Sequence, residues 1–212
     1  MAVVVRAAGT GDIDAIAGVL ATAFDDDPYV GWLLPNSESR VARATQMFIA
    51  LTRYHLLHGR VDVAVDAAGT VQGATLWTPP GRWRHTLRAQ LSMMPGLLRA
   101  FGPRIPWLGL ADRRKQRVHP SEPHWYLQAI GTSPGVRGLG YGRSLLQSRL
   151  APCDHDGASV YLETSNPGNL GYYERFGFKV FDEITMHFGG PRVWLMWRSP
   201  SPPANSPAVE LL

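Results

Sequence analysis

Apolar residues recur at helical spacing in two stretches near the beginning of the chain, residues 10–24 and 37–58. Thr10 or Asp12 can cap the first stretch, and Ser37 can cap the second. The pattern predicts two amphipathic helices that each bury one face. The inward positions are Ile13, Ile16, Val19, Leu20 and Phe24 in the first helix and Val41, Ala44, Phe48, Leu51 and Leu56 in the second.

Apolar and polar residues then alternate over 61–65 and 71–77. These two runs flank Asp66–Gly69, a turn-forming sequence, and this arrangement is typical of a β-hairpin. Residues 82–101 return to helical spacing, with an interruption at Pro95. We expect the chain between this helix and the next strand to be irregular or partly helical.

The second half of the chain switches between strand-like and helix-like segments. With a short first strand at 3–6, the predicted order of elements is β-α-α-β-β-α-β-α-β-α-β-β. The predicted segments of this half are strands at 124–130, 159–163, 179–186 and 192–198, a helix from Ser144 onward, and a short helix at 169–176.

The last segment differs in composition from the rest. Residues 199–212 are rich in Pro and Ser and show no core pattern, so we expect a disordered tail there. A chain of 212 residues can bury a sizeable core, and nothing in the pattern requires a second core. We therefore expect one domain over residues 1–198.

The charge is moderately basic, with a formal net charge of +4, and 19 of the 21 basic residues are arginine. This balance suits anionic ligands but lacks the concentrated basic face of a nucleic-acid-binding protein. The densest cluster, Arg113–Arg117, is more typical of a solvated helix face. The single cysteine, Cys153, excludes an intrachain disulfide, and no metal-ligand spacing is present. We expect neither a metal nor a nucleic-acid partner.

Targeting and membrane signals are weak. Val3–Val5 is too short for the apolar part of a signal peptide, and no apolar run reaches the ~18 residues of a membrane span. The nearest candidate, Leu91–Phe101, is broken by Pro95 and Gly96. We expect a cytoplasmic protein without a membrane partner.

A glycine-rich run, Gly131–Arg143, separates the apolar strand from the leucine-containing helix. Gly138, Gly140 and Gly142 are thus predicted at a helix N-terminus, where unpaired N–H groups and the helix dipole favour an anion. The lack of side chains lets a phosphate approach the backbone. The spacing fits neither the dinucleotide pattern G-x-G-x-x-G nor the P-loop. An ordinary glycine-rich turn is the structural alternative.

The segment Arg137–Gly142 has the spacing R-x-x-G-x-G, which resembles the pyrophosphate loop of the GNAT superfamily of acetyl-CoA-dependent N-acetyltransferases. A second block, Asn166–Phe178, resembles the superfamily segment N-x-x-x-x-x-x-Y-E-x-x-G-F. The predicted order of elements also matches this superfamily. The resemblance implies an α/β fold with a central mixed β-sheet flanked by helices on both faces, and acetyl-CoA as the cofactor.

Residues 119–198 more narrowly resemble the branch of the superfamily that contains puromycin N-acetyltransferase, through segments such as Glu122–Leu127 and Gly190–Trp194. This resemblance implies direct attack on acetyl-CoA by a primary amine of a small molecule, including an antibiotic such as puromycin, and hence a role in antibiotic resistance. We expect a monomer or homodimer. A protein N-terminal or lysine acetyltransferase and a catalytically silent CoA-binding module are the alternatives.

The resemblance also distributes acetyl-CoA along the chain. The glycine-rich loop would bind the pyrophosphate through backbone N–H groups, with arginine side chains adding charge, and the preceding strand edge would bind the pantetheine arm. The candidate cofactor-binding residues are Ala129, Ile130, Gly131, Val136, Arg137, Gly138, Leu139, Gly140, Tyr141, Gly142, Arg143, Asn169 and Tyr173.

Two catalytic roles have candidates. Tyr173 stands where the superfamily places a hydroxyl near the thioester, and a phenol with a pKa near 10 is protonated at neutral pH and can donate to the departing sulfur. A core aromatic is the alternative reading of this residue. The general base is Glu163, at the end of a strand where the central strands should separate, or His124, or a water chain without a single base.

Acidic and aromatic residues in the connection between the first two helices are candidates for binding the acceptor, namely Asp26, Tyr29 and Trp32. Carboxylates attract a protonated amine, and aromatic rings stack on planar groups or hold a cation. Helix capping explains the aspartates equally well. We expect the acceptor pocket to combine this connection with the segment from Trp77 to Phe101.

Overall fold

The periodic stretches of the sequence form seven strands and seven α-helices in the computed structural model, which describes residues 3–84 and 86–201. The strands are β1 (Val4–Ala7), β2 (Arg60–Val65), β3 (Val71–Thr78), β4 (His124–Thr132), β5 (Ser159–Thr164), β6 (Lys179–Thr185) and β7 (Arg192–Arg198). The helices are α1 (Ile13–Ala23), α2 (Pro28–Leu33), α3 (Ser37–His58), α4 (Leu87–Phe101), α5 (Ile105–Val118), α6 (Tyr141–His155) and α7 (Leu170–Glu174).

All seven strands belong to one sheet, in the order β1-β2-β3-β4-β5-β7-β6. Neighbouring strands are antiparallel except β4 and β5, which run parallel and are connected through α6. The sheet is therefore mixed, as predicted. Its single parallel pair lies at the centre, where the crossover helix requires it.

The two central strands separate partway along their length. Hydrogen-bonded pairing between β4 and β5 runs from His124 opposite Ser159 to Leu127 opposite Leu162 and then stops. Beyond that point β4 pairs only with β3, and β5 pairs only with β7. The gap leaves one edge of β4 open from Gln128 onward, at the end of the sheet where α6 and α7 begin.

The core is divided between the two faces of the sheet. Leu76 packs in a cluster with residues of α1 and α3, whereas its neighbour Trp77 packs with residues of α6 and α7. Successive strand residues point to opposite faces, so these clusters lie on opposite sides. The prediction of an α/β fold with helices on both faces of a mixed sheet is confirmed.

Four local expectations differ from the structure. The connection between the first two predicted helices contains α2, which has only six residues and is too short for helical periodicity to show. Helix α4 continues through Pro95 without a break, and α5 is a regular helix where the sequence suggested irregular or partly helical structure. The cap of α3 is Asn36 rather than Ser37, because Asn36 Oδ1 accepts from the Ser39 N–H at 3.2 Å.

The predicted tail, residues 199–212, falls largely outside the described residues, which end at Ser201. The Ser201 N–H donates to Asp154 Oδ1 at 2.7 Å, so the chain is held against α6 as far as it is described. Within residues 3–84 and 86–201, no helix combines the length and apolar character needed to cross a membrane.

Candidate active site

Two cavities meet where β4 and β5 separate. The first, of about 860 Å³, lies over the glycine-rich loop and is called the glycine-loop cleft. The second, of about 550 Å³, is bounded by α2, α3, α4 and α5 above the sheet and is called the helix-walled pocket. The residues that line both cavities are Phe24, Asp27, Ile130, Asn169 and Tyr173. A reaction between two ligands would take place at this junction.

The glycine-loop cleft owes its shape to the turn before α6. Gly138 and Gly140 have φ of 81° and 91°, a conformation that other residues rarely adopt. A Cβ at Gly142 would lie 2.9 Å from the Tyr172 hydroxyl, so a side chain there would collide with the opposite wall. The loop therefore needs glycine for its backbone conformation at two positions and for space at the third.

The start of α6 provides donors for an anion. No side chain caps this helix, so the N–H groups of Tyr141, Gly142 and Arg143 point into the cleft without an intrahelical partner. Arg137 and Arg143 also line the cleft and contribute positive charge. This combination of free backbone donors, helix dipole and guanidinium groups fits the pyrophosphate of acetyl-CoA.

Most of the predicted cofactor-binding residues line this cleft, with two differences. Ala129 lines the helix-walled pocket instead, and Leu139 is 66% exposed and lines neither cavity. The members of the predicted set that line the glycine-loop cleft are Ile130, Gly131, Val136, Arg137, Gly138, Gly140, Tyr141, Gly142, Arg143, Asn169 and Tyr173. The lining residues that the sequence did not suggest include Thr132, Gln147, Tyr172, Arg175 and Phe176.

Tyr173 lies at the junction of the two cavities. It is on α7, is 7% exposed, and packs edge-on against Tyr172 and Phe178. Burial raises the pKa of its phenol far above the usual value, with smaller contributions from Tyr172 and Asp27. The hydroxyl is therefore protonated throughout the physiological range and can act only as a proton donor in its resting state.

The helix-walled pocket has apolar walls and a charged floor. Its walls are formed by Phe24, Val30, Leu33, Leu34, Met47, Phe48, Leu51, Met93, Met94, Leu97, Phe101, Ile105 and Leu108. The charged groups that line it are the carboxylates of Asp27, Asp112 and Glu163 and the cationic groups of Arg113 and Lys115. A ligand with an apolar body and a polar or cationic end would match this distribution.

Glu163 is held from two sides at the floor of the pocket. Its Oε1 accepts a hydrogen bond from the Tyr161 hydroxyl at 2.8 Å, and its Oε2 lies 2.5 Å from Lys115 Nζ. The Glu163 side chain is 6% exposed. Burial lowers the pKa of Lys115 to about 8, while Asp112 and Asp27 act in the opposite direction. A basic carboxylate thus lies next to an amine that can release a proton near neutral pH.

Asp27 connects the start of α2 to the end of β5. Its Oδ1 accepts from the Tyr29 and Val30 N–H groups, each at 3.0 Å, and its Oδ2 accepts from the Ser165 hydroxyl at 2.9 Å. Burial raises the pKa of Asp27, although these hydrogen bonds and the charge of Lys115 partly offset the effect. Asp27 therefore caps a helix and also lines both cavities.

The structure separates the three predicted acceptor-binding residues. Tyr29 lines the helix-walled pocket, and Asp26 lines the glycine-loop cleft. Trp32 lines neither cavity and packs against Tyr29 and Trp107. The helix-walled pocket does combine part of this connection with residues of α4, since Asp27, Tyr29 and Val30 line it together with Met93 and Leu97, but Trp77 lines neither cavity.

His124 is not brought to the junction. It lies at the opposite end of β4, where its Nδ1 donates to the Glu122 carbonyl at 2.6 Å and its Nε2 is 3.0 Å from His119 Nε2. It is buried and lines neither cavity. Of the two predicted bases, only Glu163 lies at the cavities.

Helix α5 contributes residues to the pocket that the sequence analysis missed. Lys115 lies in the Arg113–Arg117 cluster, which was interpreted as a solvated face, and the outer members do face solvent. Its burial against Glu163 depends on how α5 packs over the sheet. One feature of the sequence could have identified Lys115: it is a lysine in a chain whose basic residues are almost all arginine.

Sequence comparison shows that this chain is similar to known acetyltransferases. The profile of the acetyltransferase (GNAT) family matches residues 106–178, from α5 to the end of the second block. An uncharacterized N-acetyltransferase of Schizosaccharomyces pombe is 33% identical over 213 aligned residues, covering 94% of this chain and 83% of the yeast protein.

Solved structures agree in fold. A histone acetyltransferase HPA2 and related acetyltransferase from Corynebacterium glutamicum has a TM-score of 0.73 and 29% identity, covering 96% of this chain and 99% of that one. A GNAT family acetyltransferase from Brucella melitensis, solved in complex with acetyl-CoA, has a TM-score of 0.51 and 17% identity, covering 95% of this chain and 90% of that one. The second likeness, at its low identity, concerns the fold alone.

Proposed function

Because the chain belongs to the GNAT family of acetyl-CoA-dependent acetyltransferases, we propose that it acetylates a primary amine of a small molecule. The observation that supports this acceptor class is the helix-walled pocket. Four helices surround it, its volume is about 550 Å³, and it opens into the glycine-loop cleft at Tyr173. A concave cavity of this volume, walled by helices and lined largely by apolar side chains, suits a small molecule.

The residues at the junction have complementary roles in this proposal. Acetyl-CoA, when bound, supplies the acetyl thioester. Glu163 accepts a proton from the acceptor's ammonium, directly or through water, and leaves a neutral amine that attacks without a covalent enzyme intermediate. The hydroxyl of Tyr173 donates a proton to the departing sulfur. The high pKa of the buried phenol keeps that proton in place until negative charge develops on the sulfur.

The lining of the pocket suggests which amines are accepted. Apolar side chains of α3, α4 and α5 would contact the body of the acceptor, and the carboxylates of Asp27, Asp112 and Glu163 would attract its positive end. A bulky cationic amine fits this arrangement better than a small neutral one. Amine antibiotics such as puromycin belong to this class, and acetylation of such a compound would give resistance to it.

The alternative is acetylation of a protein N-terminus or lysine. The name of the Corynebacterium glutamicum relative, a histone acetyltransferase and related acetyltransferase, favours this alternative. A protein acceptor would have to insert a lysine side chain or an N-terminus into the helix-walled pocket. A silent CoA-binding module is disfavoured because Tyr173 and Glu163 both line the cavity system. We propose that the protein acts in the cytoplasm as a single domain, 1–198, in a monomer or homodimer.

A thiol-release assay tests the proposal. The enzyme is given acetyl-CoA and a panel of amines that includes puromycin, aminoglycosides, polyamines and short peptides with free N-termini or lysines. We expect the highest kcat/KM for a bulky cationic small molecule with an apolar body. Turnover confined to the peptides would support the alternative, and the variant Tyr173→Phe, measured in parallel, distinguishes enzymatic transfer from spontaneous acetylation.

A further inference from the structure

Lysine is rare in this chain, and one of its two lysines lies in the helix-walled pocket. Lys179 is exposed on the edge strand β6, whereas the Lys115 side chain is 19% exposed and lines the pocket from α5. Lysine differs from arginine in that its amine can lose a proton and accept an acyl group. The chain therefore places a primary amine of its own where we expect the acceptor.

The surroundings of Lys115 Nζ are those expected for an ammonium ligand. Nζ lies 2.5 Å from Glu163 Oε2 and 5.0 Å from the centre of the Tyr29 ring, so it contacts both a carboxylate and an aromatic face. Two further carboxylates favour a positive charge on Nζ: Asp27, which precedes α2, and Asp112, which lies on α5 with Lys115. Lys115 Nζ therefore has the kind of surroundings that the ammonium of the proposed acceptor would need.

Burial also makes this amine a better nucleophile than an exposed lysine. The pKa of Lys115 is lowered to about 8, chiefly because burial disfavours the charged form. A larger share of Lys115 is therefore neutral near pH 7 than of a lysine with the ordinary pKa. Glu163, in contact with the ammonium, is the nearest group to accept the proton.

We propose that Lys115 is an internal acetyl acceptor, acetylated at Nζ when acetyl-CoA is bound and the pocket holds no other amine. The inference rests on the proposed site, because Lys115, Glu163 and Tyr173 line one cavity. Glu163 takes one proton from the ammonium. The bond from Nζ to the acetyl carbon forms as the carbon–sulfur bond breaks and the sulfur gains a proton from Tyr173. The second proton lost by Nζ then restores the Tyr173 phenol, and Glu163 releases its proton to solvent. The net products are acetyl-lysine, free thiol and one proton.

Acetylation of Lys115 would limit the enzyme's own activity. The amide is neutral, so Glu163 loses its cationic partner, and the added acetyl group fills space that the acceptor needs. An acceptor amine that occupies the pocket would in turn protect Lys115. The modification would therefore accumulate only when acetyl-CoA is abundant and the acceptor is scarce.

Mass spectrometry tests the inference without relying on turnover. The full chain is incubated with acetyl-CoA alone, and acetyl groups are located by intact mass and peptide mapping. We expect one acetyl group at Lys115, formed at least about 10²-fold faster than at Lys179, because the exposed lysine lacks both the bound donor and the positioned acid and base. Tyr173→Phe should slow modification of Lys115 by about 10²-fold or more and leave the rate at Lys179 unchanged.

The possible outcomes separate this inference from the proposed function. If Lys115 stays unmodified in an enzyme that acetylates an added amine, the inference is wrong and the proposed function stands. Equal rates at Lys115 and Lys179 would indicate solution chemistry and would also overturn it. Modification of Lys115 that an accepted amine suppresses, and that Lys115→Arg abolishes, supports it, even if the best amine proves to be a peptide.

Discussion

The hydroxyl of Tyr173 is the group whose removal should most clearly separate binding from chemistry. In the variant Tyr173→Phe the ring still packs against Tyr172 and Phe178, so the fold and acetyl-CoA binding should survive. Loss of a positioned acid typically reduces the rate by ~10²- to 10⁴-fold, and we expect kcat to fall by that amount. Calorimetry for acetyl-CoA affinity and steady-state kinetics for kcat provide the two measurements.

The neighbouring phenol is a matched control for this variant. Tyr172 lines only the glycine-loop cleft and does not reach the helix-walled pocket. Tyr172→Phe removes the same atom one residue away and should leave kcat within a few-fold of the starting enzyme. Equal losses in the two variants would assign the effect to packing in α7 rather than to proton donation.

The pair of imidazoles at the far end of β4 should make stability depend on pH. Burial lowers the pKa of His119 to about 3, helped by His124, Lys115 and Arg84, whereas the ordinary value is 6.5. Between these two pH values the unfolded chain binds a proton that the folded chain does not. The contribution of the neutral His119 to the free energy of unfolding should therefore be complete above about pH 6.5. It should decrease as the pH falls from 6.5 toward 3.

Urea unfolding at pH 7 and pH 5 checks this expectation. His119 Nε2 lies 3.0 Å from His124 Nε2, and the His124 Nδ1 donates to Glu122, so His119 is the donor between the rings. The variant His119→Gln keeps a side-chain donor and removes one titrating group. Its free energy of unfolding should decrease less from pH 7 to pH 5 than that of the original chain. A variant with the same pH dependence as the original chain would exclude His119 as the source.

The turn into α6 gives a prediction for the cofactor. A Cβ at Gly140 meets no atom within 4 Å, so the side chain of Gly140→Val would extend into the glycine-loop cleft. Gly157, just past the end of α6, is the matched control because its φ is also positive, at 65°, and its Cβ would likewise be unobstructed. Each substitution should cost about 1 to 3 kcal/mol of stability through backbone strain.

Only the first of these variants should lose cofactor affinity. Valine at position 140 keeps a phosphate away from the N–H groups at the start of α6, and losing one charge-assisted hydrogen bond corresponds to about tenfold or more in Kd. Calorimetry with acetyl-CoA measures the difference. Unchanged affinity in a folded Gly140→Val protein would show that the pyrophosphate binds elsewhere.

Helix α4 forms a wall of the helix-walled pocket and packs closely on α3. A Cβ at Gly96 would lie 2.8 Å from the Ala50 Cβ, so the variant Gly96→Ala must push the two helices apart. Overpacking of this kind costs about 1 to 3 kcal/mol, and the displaced Met93, Met94 and Leu97 would reshape the pocket. We expect the KM for the acceptor to rise roughly 3- to 10-fold, with acetyl-CoA affinity unchanged.

A glycine in another helix provides the comparison. Gly18 is in α1, and a Cβ there meets nothing within 4 Å. Gly18→Ala should stabilise the protein by up to about 1 kcal/mol, because alanine favours a helix more than glycine does. If Gly96→Ala also raised stability and left both kinetic constants unchanged, the close approach of α3 and α4 would not define the pocket.

Arg198, at the end of β7, connects this strand to α6 and to the chain after α7. The Arg198 guanidinium donates two hydrogen bonds to the Asp154 carboxylate and one to the Phe176 carbonyl, all at 2.7 Å, and its side chain is 6% exposed. These bonds join β7, α6 and the loop after α7. The variant Arg198→Leu removes these bonds and leaves Asp154 without a cationic partner, with the Ser201 N–H as its remaining donor, so we expect stability to fall by ~2 to 4 kcal/mol.

A surface ion pair between β7 and β6 is the control. Arg192 contacts Glu183 at 3.2 Å, but the two side chains are 56% and 49% exposed. Exposed ion pairs contribute little, so Arg192→Leu should change the free energy of unfolding by less than about 1 kcal/mol. Chemical denaturation of both variants measures the contrast, and similar losses would mean that burial does not determine the strength of the Arg198 contact.

The sequence by itself predicted the main elements of the fold and the glycine-rich turn that lines the glycine-loop cleft. Apolar periodicity placed the strands and the long helices, and the glycine spacing from Arg137 to Gly142 indicated an anion site at the start of α6. Such features depend on residues that are close together in the chain, so local rules of backbone conformation and helix termini are sufficient to predict them. The position of Glu163, at the end of β5 beside the gap between the central strands, also followed from the order of elements.

The lining of the helix-walled pocket was decided by tertiary structure. Asp26 lines the glycine-loop cleft, Asp27 lines both cavities and Trp32 lines neither, although the three are close in sequence. Asp27 caps α2 and Trp32 lies within it, so the neighbours that each side chain meets depend on how this short helix packs. Lys115 belongs to a basic cluster and still contacts Glu163, because α5 packs over the end of β5. Contacts between residues so far apart in the chain depend on how whole helices pack, and helical periodicity does not specify which neighbour a buried face will meet.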